Sequence, residues 1–324
     1  MKKIIGIGNA LIDTLLQLDN EDMIQELGLS KGGMVLIDKE KHAEITKKIS
    51  NFDKKMAFGG SAANTIHGLA NLNVPAAYIG KTGKDPAGDF FREDLVKNNI
   101  VPRLVQSATP TGEAIALITP DAERTFATYL GAAVELSEDD IQESFFDGYD
   151  ILHIEGYLAY NQPLMIKSAE IAKKKGMEIS MDMASFNVIE DNYDFLREYL
   201  NKYVDIVFAN EEEAKALTGK EPEDALEEIA SMAKIAVVKL GKNGSMVKKG
   251  NKKVTVQAKT ANSIDTTGAG DSYAAGFLYG LVNGYDLEKS ANTGSILSAR
   301  IVERMGPKMG KNDWREIRSE INTL

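Results

Sequence analysis

From residue 150 onward the chain alternates short β-branched runs with helical periods, and that rhythm admits one class of architecture. Residues 151–154, 178–181, 205–208 and 235–240 read as strands, and residues 163–175, 193–200, 211–217 and 223–232 read as helices. A helix between two strands carries the chain back across the sheet, so the strands pair in parallel. Residues 4–8 add a first buried strand. Two further helices follow Asp271, the second over 286–305 and stopped by Gly306-Pro307. The expectation is a three-layer α/β/α core with a mostly parallel central sheet. Two stretches break the rhythm: residues 14–38 (strand-like at 14–18 and 34–37) and 111–130 (strand-like at 114–119 and 125–130). Each reads as a strand pair with no crossover helix after it, so together they are expected to form a small separate sheet. No linker, repeat or low-complexity tract divides the 324 residues, so residues 1–324 are read as one domain with that sheet inserted.

Composition narrows the function. A formal net charge of −10 argues against nucleic acid or an anionic membrane as the main partner. With no cysteine and three scattered histidines (His42, His67, His153), thiolate chemistry, disulfides and histidine metal clusters are not expected. The apolar start ends by Asp13 without a small-residue cleavage site, and no apolar stretch approaches the ~18 residues of a membrane span. A cytoplasmic protein is expected.

Residues 264–272 read I-D-T-T-G-A-G-D-S and lead into the helical pattern Tyr273, Ala274, Phe277, Leu278, Leu281. Gly268 and Gly270 free the backbone to turn, and a helix start offers unpaired N–H groups and a positive dipole end. Such a place binds anions. Asp271 adds a carboxylate to it, which suits a proton acceptor beside a phosphate under attack. An Asp at a helix start also has the ordinary explanation of a cap. The dipole is expected to lower the Asp271 pKa.

Other segments carry further candidates, each with an ordinary explanation beside it. Asn9 and Asp13 follow the first strand, where α/β sheets bind ligands. A carboxylate there can accept two hydrogen bonds from a vicinal diol, although an Asn turn and a solvated Asp read equally well. The G-x-G of residues 6–8 lacks a third glycine, Leu11 standing in its place, so a dinucleotide fingerprint fails. Gly59-Gly60-Ser61 precedes a helix, so a ligand can approach its backbone closely, with Asn64 in the first turn; a plain loop and N-cap would look the same. Gly80-Lys81-Thr82 mimics the end of a phosphate-binding loop, but Pro75 replaces its first glycine and residues 76–79 read as strand. Asn210 and Glu213 head a helix, as a cap or as groups that hold Mg²⁺ through water. Lys239, Gly241 and Gly244 lie in a strand-end glycine loop that could equally be a hairpin turn. Arg124 sits in the second lid stretch as a solvated turn charge, or as a guanidinium brought onto a phosphate by closure.

Taken together, D-T-T-G-A-G-D, G-G-S-x-x-N and N-x-x-E, in that spatial logic and in the right chain order, resemble the signatures of the ribokinase-like (PfkB) family of carbohydrate and nucleoside kinases. G-N-x-L-x-D from Gly8, I-x-G-Y-L at 154–158 and Y-V-D-I-V-F-A-N-E-x-E-A at 203–214 resemble its adenosine kinase subgroup. The resemblance implies the three-layer core with a β lid, and ATP and Mg²⁺ as cofactors. Asp271 is then the base, and Gly268, Ala269 and Gly270 supply anion-hole N–H groups. Asn9, Asp13, Gly59, Gly60 and Asn64 hold a ribose, with Arg124 from the lid. Asp265 and Thr267 match positions that bind a monovalent cation, often potassium. Lys239, Gly241 and Gly244 line the nucleotide site, Asn292 lies near adenine, and Phe126, Leu130 and Phe186 pack the substrate base. Lys239 departs from the small hydroxyl residue of many relatives. The expected reaction is phosphorylation of the 5′-hydroxyl of adenosine or a related nucleoside. A free sugar such as ribose, fructose or 2-keto-3-deoxygluconate, and a non-catalytic nucleotide- or sugar-binding protein, are the alternatives. Both a monomer and a homodimer paired through the lid are open.

Overall fold

Ile4–Ile7 forms β1, four fully buried residues in a row, as expected of a strand covered on both faces. The computed structural model describes residues 2–120 and 123–324, and of Met34 and Arg124 only the backbone. From β1 the chain runs through β2 (Leu11–Gln17), α1 (Asp22–Glu26), β3 (Met34–Leu36), α2 (Lys39–Lys48), β4 (Lys54–Gly59), α3 (Ser61–Asn71), β5 (Ala76–Gly83), α4 (Pro86–Lys97) and β6 (Ile100–Ser107). Then come β7 (Gly112–Ile118), β8 (Arg124–Tyr129), β9 (Ile151–Glu155), α5 (Gln162–Lys174), β10 (Glu178–Asp182), α6 (Phe186–Asp191), α7 (Tyr193–Tyr203), β11 (Ile206–Asn210) and α8 (Glu211–Thr218). The last elements are α9 (Pro222–Met232), β12 (Ile235–Lys239), β13 (Ser245–Lys249), β14 (Lys252–Val256), α10 (Ala269–Val282), α11 (Leu287–Val302) and α12 (Lys311–Ile321).

The large sheet has the order β14-β13-β12-β11-β10-β9-β1-β5-β6. The seven strands from β12 to β6 are parallel; β13 and β14 close one edge antiparallel. One face packs Ile5, Leu152, Met181 and Val207 against α5, α7, α8 and α9, including Leu164, Leu196 and Leu226. The other packs Ile4, Phe208 and Val237 against α3, α10, α11 and α12, including Ile66, Phe277, Leu297 and Trp314. These are the three layers that the alternating rhythm foretells. Residues 80–82 lie inside β5, so they form no phosphate loop.

The small sheet has the order β3-β8-β7-β2-β4. Here the sequence reading needs correction. The 14–18 and 34–37 segments do not pair with each other: β2 lies between β4 and β7, while β3 pairs with β8. β2 begins at Leu11, and β4, whose Lys54-Lys55 start hides its strand pattern, is a fifth strand. Leu16, Ile115, Leu117 and Ala127 on one face are buried under Ile24 of α1 and Ile45 of α2. The opposite face carries Asp13, Ala57, Ala114 and Thr128 in register, with Ala116 and Phe126 one pair further along.

Candidate active site

Two crossings between the sheets create the substrate side. The chain leaves β1 through Gly8 and Asn9 into β2, and leaves β4 through Gly60 into α3. The crossings touch: a Cβ on Gly60, whose φ is 100°, would lie 2.2 Å from the Asn9 carbonyl oxygen. A Cβ on Gly59 would lie 2.4 Å from the Asp13 carboxylate. The paired glycines are therefore required by close approach. Glu155, at the end of β9 and fully buried, ties both crossings together. Its Oε1 accepts from the Asn9 backbone N–H (2.8 Å) and from Asn9 Nδ2 (2.7 Å), and its Oε2 accepts from Ala62 N–H (3.0 Å). The Asn9 amide nitrogen is thus committed to Glu155, and what Asn9 can offer a ligand is its Oδ1. Burial pushes the Glu155 carboxyl up to about 7 against those three hydrogen bonds.

Asp271 stands in the first turn of α10, after Gly268 in the left-handed conformation (φ 75°). Ser61 Oγ donates to its Oδ1 (2.7 Å) and Asn64 Nδ2 to its Oδ2 (3.0 Å), while Thr65 Oγ1 donates to its main-chain oxygen (3.2 Å). The expected dipole effect on Asp271 is overturned. Burial, then the Asp182 carboxylate, push it up to about 6, overriding Asn64, Ser61 and Lys239, which pull it down. It is a stronger base than a surface Asp, and one still ionised at neutral pH. Asp13 is also pushed up to about 6, by burial first, with Lys308 opposing and Asp271 adding. Lys308 Nζ donates to Asn64 Oδ1 (2.9 Å). Burial presses its ammonium down to about 7 against the pull of Asp13, Asp94 and Asp271.

Across the start of α10 lies the phosphate side. Lys239, at the end of β12, pairs with Asp182 of β10 at 2.8 Å, and its Nζ would be 3.0 Å from a Cβ on Gly270. An ammonium thus adds positive charge beside the N-terminal end of α10. Burial opposes its charge, but Asp182, Glu213 and Asp271 hold it above the usual lysine range. Asn210 and Glu213 form a reciprocal cap: Asn210 Oδ1 accepts from Glu213 N–H, and the Glu213 oxygens accept from Asn210 N–H and Nδ2, all at 2.8 Å. Glu213 is buried, and that burial pushes it up to about 7. An extra positive charge nearby would favour its ionised form. Asp182 and Glu213, both of which interact with Lys239, are a donor set of hard oxygens that fits a hydrated Mg²⁺. Asp265 Oδ1 accepts from Thr267 N–H (3.0 Å) and Oγ1 (2.8 Å), and Oδ2 accepts from Gly306 N–H (2.7 Å). This pins the loop before α10 to the one after α11.

The remaining candidates sit as follows. Gly241 and Gly244 lie in the turn of the antiparallel β12–β13 hairpin. Asn292, on α11, donates to the Glu288 main-chain oxygen of its own helix. Phe186 opens α6 and is half-exposed. Phe126 lies on the Asp13 face of the small sheet, and Leu130 directly follows β8. The Arg124 side chain lies outside the described residues. Ser61, Glu155, Asp182 and Lys308 escaped the sequence reading. Ser61 and Glu155 lie within quoted motifs and could have been tested as partners of Asp271 and Asn9; Lys308 has no local signature.

A family model described as pfkB family carbohydrate kinase matches residues 32–314. The chain is 33% identical to an adenosine kinase from Sinorhizobium meliloti, with a TM-score of 0.87 over 98% of this chain and 99% of that one. It is 32% identical to a probable sugar kinase from Rhizobium etli CFN 42, also at a TM-score of 0.87, over 99% of each. An uncharacterized sugar kinase of Archaeoglobus fulgidus is 28% identical over 75% of this chain and 97% of its own.

Proposed function

The chain belongs to the pfkB family of carbohydrate kinases, enzymes that transfer phosphate from ATP to an alcohol, and from that premise we propose that its acceptor is the 5′-hydroxyl of adenosine or a related nucleoside. The observation that carries this is the small-sheet face beside Asp13. Ala57 and Ala114 flank Asp13 in register, and Ala116 and Phe126 follow. Short side chains next to a diol-binding carboxylate leave room for a flat apolar group, and Phe126 and Leu15 offer it walls. A free sugar has no such group to bury.

In this reading Asp13 and the Asn9 Oδ1 take the ribose hydroxyls, Gly59 and Gly60 let the sugar approach the backbone, and Asn64 orients the acceptor end. Asp271 accepts the hydroxyl proton as the oxygen attacks the γ-phosphorus. A loose phosphoryl transition state needs that proton removed only late, so a carboxylate of pKa about 6 suffices. The Gly268–Gly270 N–H groups and Lys239 neutralise charge on the transferred group. Mg²⁺ held through water by Glu213 and Asp182 would supply charge neutralisation on the phosphates. Gly241 and Gly244 face the nucleotide, and Asn292 its adenine. Asp265 and Thr267 take a monovalent cation that fixes the loop entering α10. The small sheet acts as a lid that excludes water. Its outer face is already covered by α1 and α2, which supports a monomer over a lid-paired dimer.

The test is ATP-dependent phosphorylation of adenosine, inosine, guanosine, cytidine, ribose, fructose and 2-keto-3-deoxygluconate with Mg²⁺, with and without K⁺. Preference for adenosine by kcat/KM is expected. Preference for a free sugar would overturn the acceptor while leaving the catalytic roles standing. ATP turnover with no acceptor taken would point to a binding protein.

A further inference from the structure

Lys308 lies two residues beyond Gly306, in the segment between α11 and α12, and reaches into the cleft from the side opposite Lys239. Its Nζ hydrogen-bonds Asn64 Oδ1 at 2.9 Å and stands 3.6 Å above the centroid of the Phe58 ring. Among the described residues it has no carboxylate within ion-pair distance. Instead it faces several groups further off: Asp13 on β2, Asp94 on α4, Asp271 on α10 and His67 on α3. Among the described residues the cleft brings together the acids Asp13, Glu155, Asp182, Glu213 and Asp271 and the ammonium groups of Lys239 and Lys308. Lys239 serves the Asp182 and Glu213 end. Lys308 serves the Asp13 and Asp271 end.

An Asn side chain is nearly symmetric in shape but not in chemistry: one arm donates and the other accepts. A lysine ammonium only donates. Lys308 therefore dictates that Asn64 turns its oxygen toward it, which leaves Nδ2 to donate to Asp271 Oδ2. Ser61 already holds Oδ1. While Asp271 is ionised its carboxylate also calls for the amide nitrogen; once Asp271 takes up a proton, which a flipped amide oxygen could accept, Lys308 is the described partner that keeps the Asn64 oxygen turned away. Without Lys308, Asp13 and Asp271 would also lose the cationic group that faces them both.

We propose that Lys308 is a positioning residue for phosphoryl transfer: its hydrogen bond to the Asn64 oxygen holds the amide in the orientation that donates to Asp271, and it sets a cationic group facing both Asp13 and Asp271. This rests on the reading of Asp271 as base. The groups that face Asp271 are Asp13, Glu155, Asp182, Glu213, Lys239, Lys308 and the Tyr157 phenol. Removal of Lys308 takes away one of the two cationic groups that face Asp271 among the described residues. Asp271 then keeps its proton to higher pH.

The chain has no cysteine, so Lys308→Cys carries a single thiol that bromoethylamine converts to an ammonium of nearly lysine length. Turnover is measured from pH 5 to 9 for wild type, Lys308→Met, Lys308→Cys before and after alkylation, and Asp271→Asn. The expected result for Lys308→Met and for unalkylated Lys308→Cys is a kcat lowered about tenfold or more, with the acidic limb moved about one pH unit toward alkaline. Alkylation of Lys308→Cys should restore both. Unchanged kcat and limb in Lys308→Met would overturn the proposal, as would a loss that is uniform across pH and not restored by alkylation. A Lys308→Met chain that fails to fold leaves the alkylation arm to decide. Near-normal turnover of Asp271→Asn would overturn the base assignment itself, and this proposal with it. An inactive Asp271→Asn beside an unshifted Lys308→Met limb would overturn this proposal alone.

Discussion

Replacement of Asp271 by Asn should make the protein both inactive and more stable. Its carboxyl is raised from the ordinary 3.8 to about 6, a cost of about 3 kcal/mol for keeping the charge at neutral pH at ~1.4 kcal/mol per pKa unit. Asp271 is partly open to the cleft, so about half of that, roughly 1.5 kcal/mol, is the sounder figure. The amide fits without a lost hydrogen bond. Its oxygen can accept from Asn64 Nδ2, and its nitrogen can donate to Ser61 Oγ, whose hydroxyl rotates to accept. The direction with pH follows from linkage. A carboxyl that titrates higher when folded contributes stability that is full below 3.8 and lost as pH rises through about 6. The variant's advantage therefore grows from about pH 4 to about pH 6 and is full above that. With an unfolding entropy of roughly 0.7 kcal/mol per kelvin for a chain of this length, it amounts to ~2 °C in Tm. Calorimetry at pH 4.5, 6 and 7.5 measures the gap, while coupled-assay turnover should fall about 10²–10⁴-fold. A variant less stable than wild type at pH 7.5 would refute the electrostatic reasoning. One with near-normal turnover would refute the role.

Gly268→Ala should lower kcat far more than it raises the acceptor KM. An alanine there must adopt φ 75° and its Cβ meets Pro307 Cβ at 2.9 Å, a strain of ~1–2 kcal/mol applied to the helix start proposed to bind phosphate; equal changes in both constants would speak against an anion hole. Asp205→Ala is the opposite kind of change. The Asp205 carboxylate accepts from Ile179 N–H at 2.7 Å and pairs with Lys173 (2.6 Å) and Lys234 (2.8 Å) at the far end of the strands. Burial resists the charge, but these partners hold it below the usual range. That stability is present above the ordinary carboxylate pKa and lost as pH falls through the lower folded value. Loss of about 2 kcal/mol in urea unfolding at pH 7 with kcat unchanged is expected; a matching loss of kcat would mean that the far end of the sheet is coupled to the cleft.

What the sequence made legible was whatever local chemistry announces itself. The β-branched runs separated by helical periods gave the parallel sheet, and the glycines beside Asp271 announced the start of a helix with that carboxylate in its first turn. The Asn210–Glu213 cap was readable from a four-residue spacing, and the β12–β13 hairpin from its glycines. What stayed hidden arises from contacts between distant segments. Glu155 looks like the last residue of a strand, and only the fold brings the Asn9 and Ala62 N–H groups to it. Lys308 is one lysine among many until α11 and the following turn carry it to Asn64. The pKa of Asp271 went the wrong way for the same reason. The helix start is visible in sequence, whereas the burial and the Asp182 carboxylate that outweigh it are not. β4 was missed because two lysines open it, and a strand at a sheet edge tolerates them.

The contact between Asn9 and Gly60 has a mechanical consequence. Both chain segments that join the small sheet to the large one at β1 and α3 pass through that point, and Glu155 clamps them there from within the large sheet. The groups proposed to face the sugar, Asn9 and Asp13, thus stand beside two of the crossings that tie the small sheet to the large one. In the proposed reading a ligand on Asp13 and Asn9 bears on the Asn9–Gly60 contact, and Gly60 leads directly into Ser61 and Asn64, which hydrogen-bond Asp271. Occupancy of the sugar end would then bear on Asp271 through Gly60 and the first turn of α3, which carries Ser61 and Asn64.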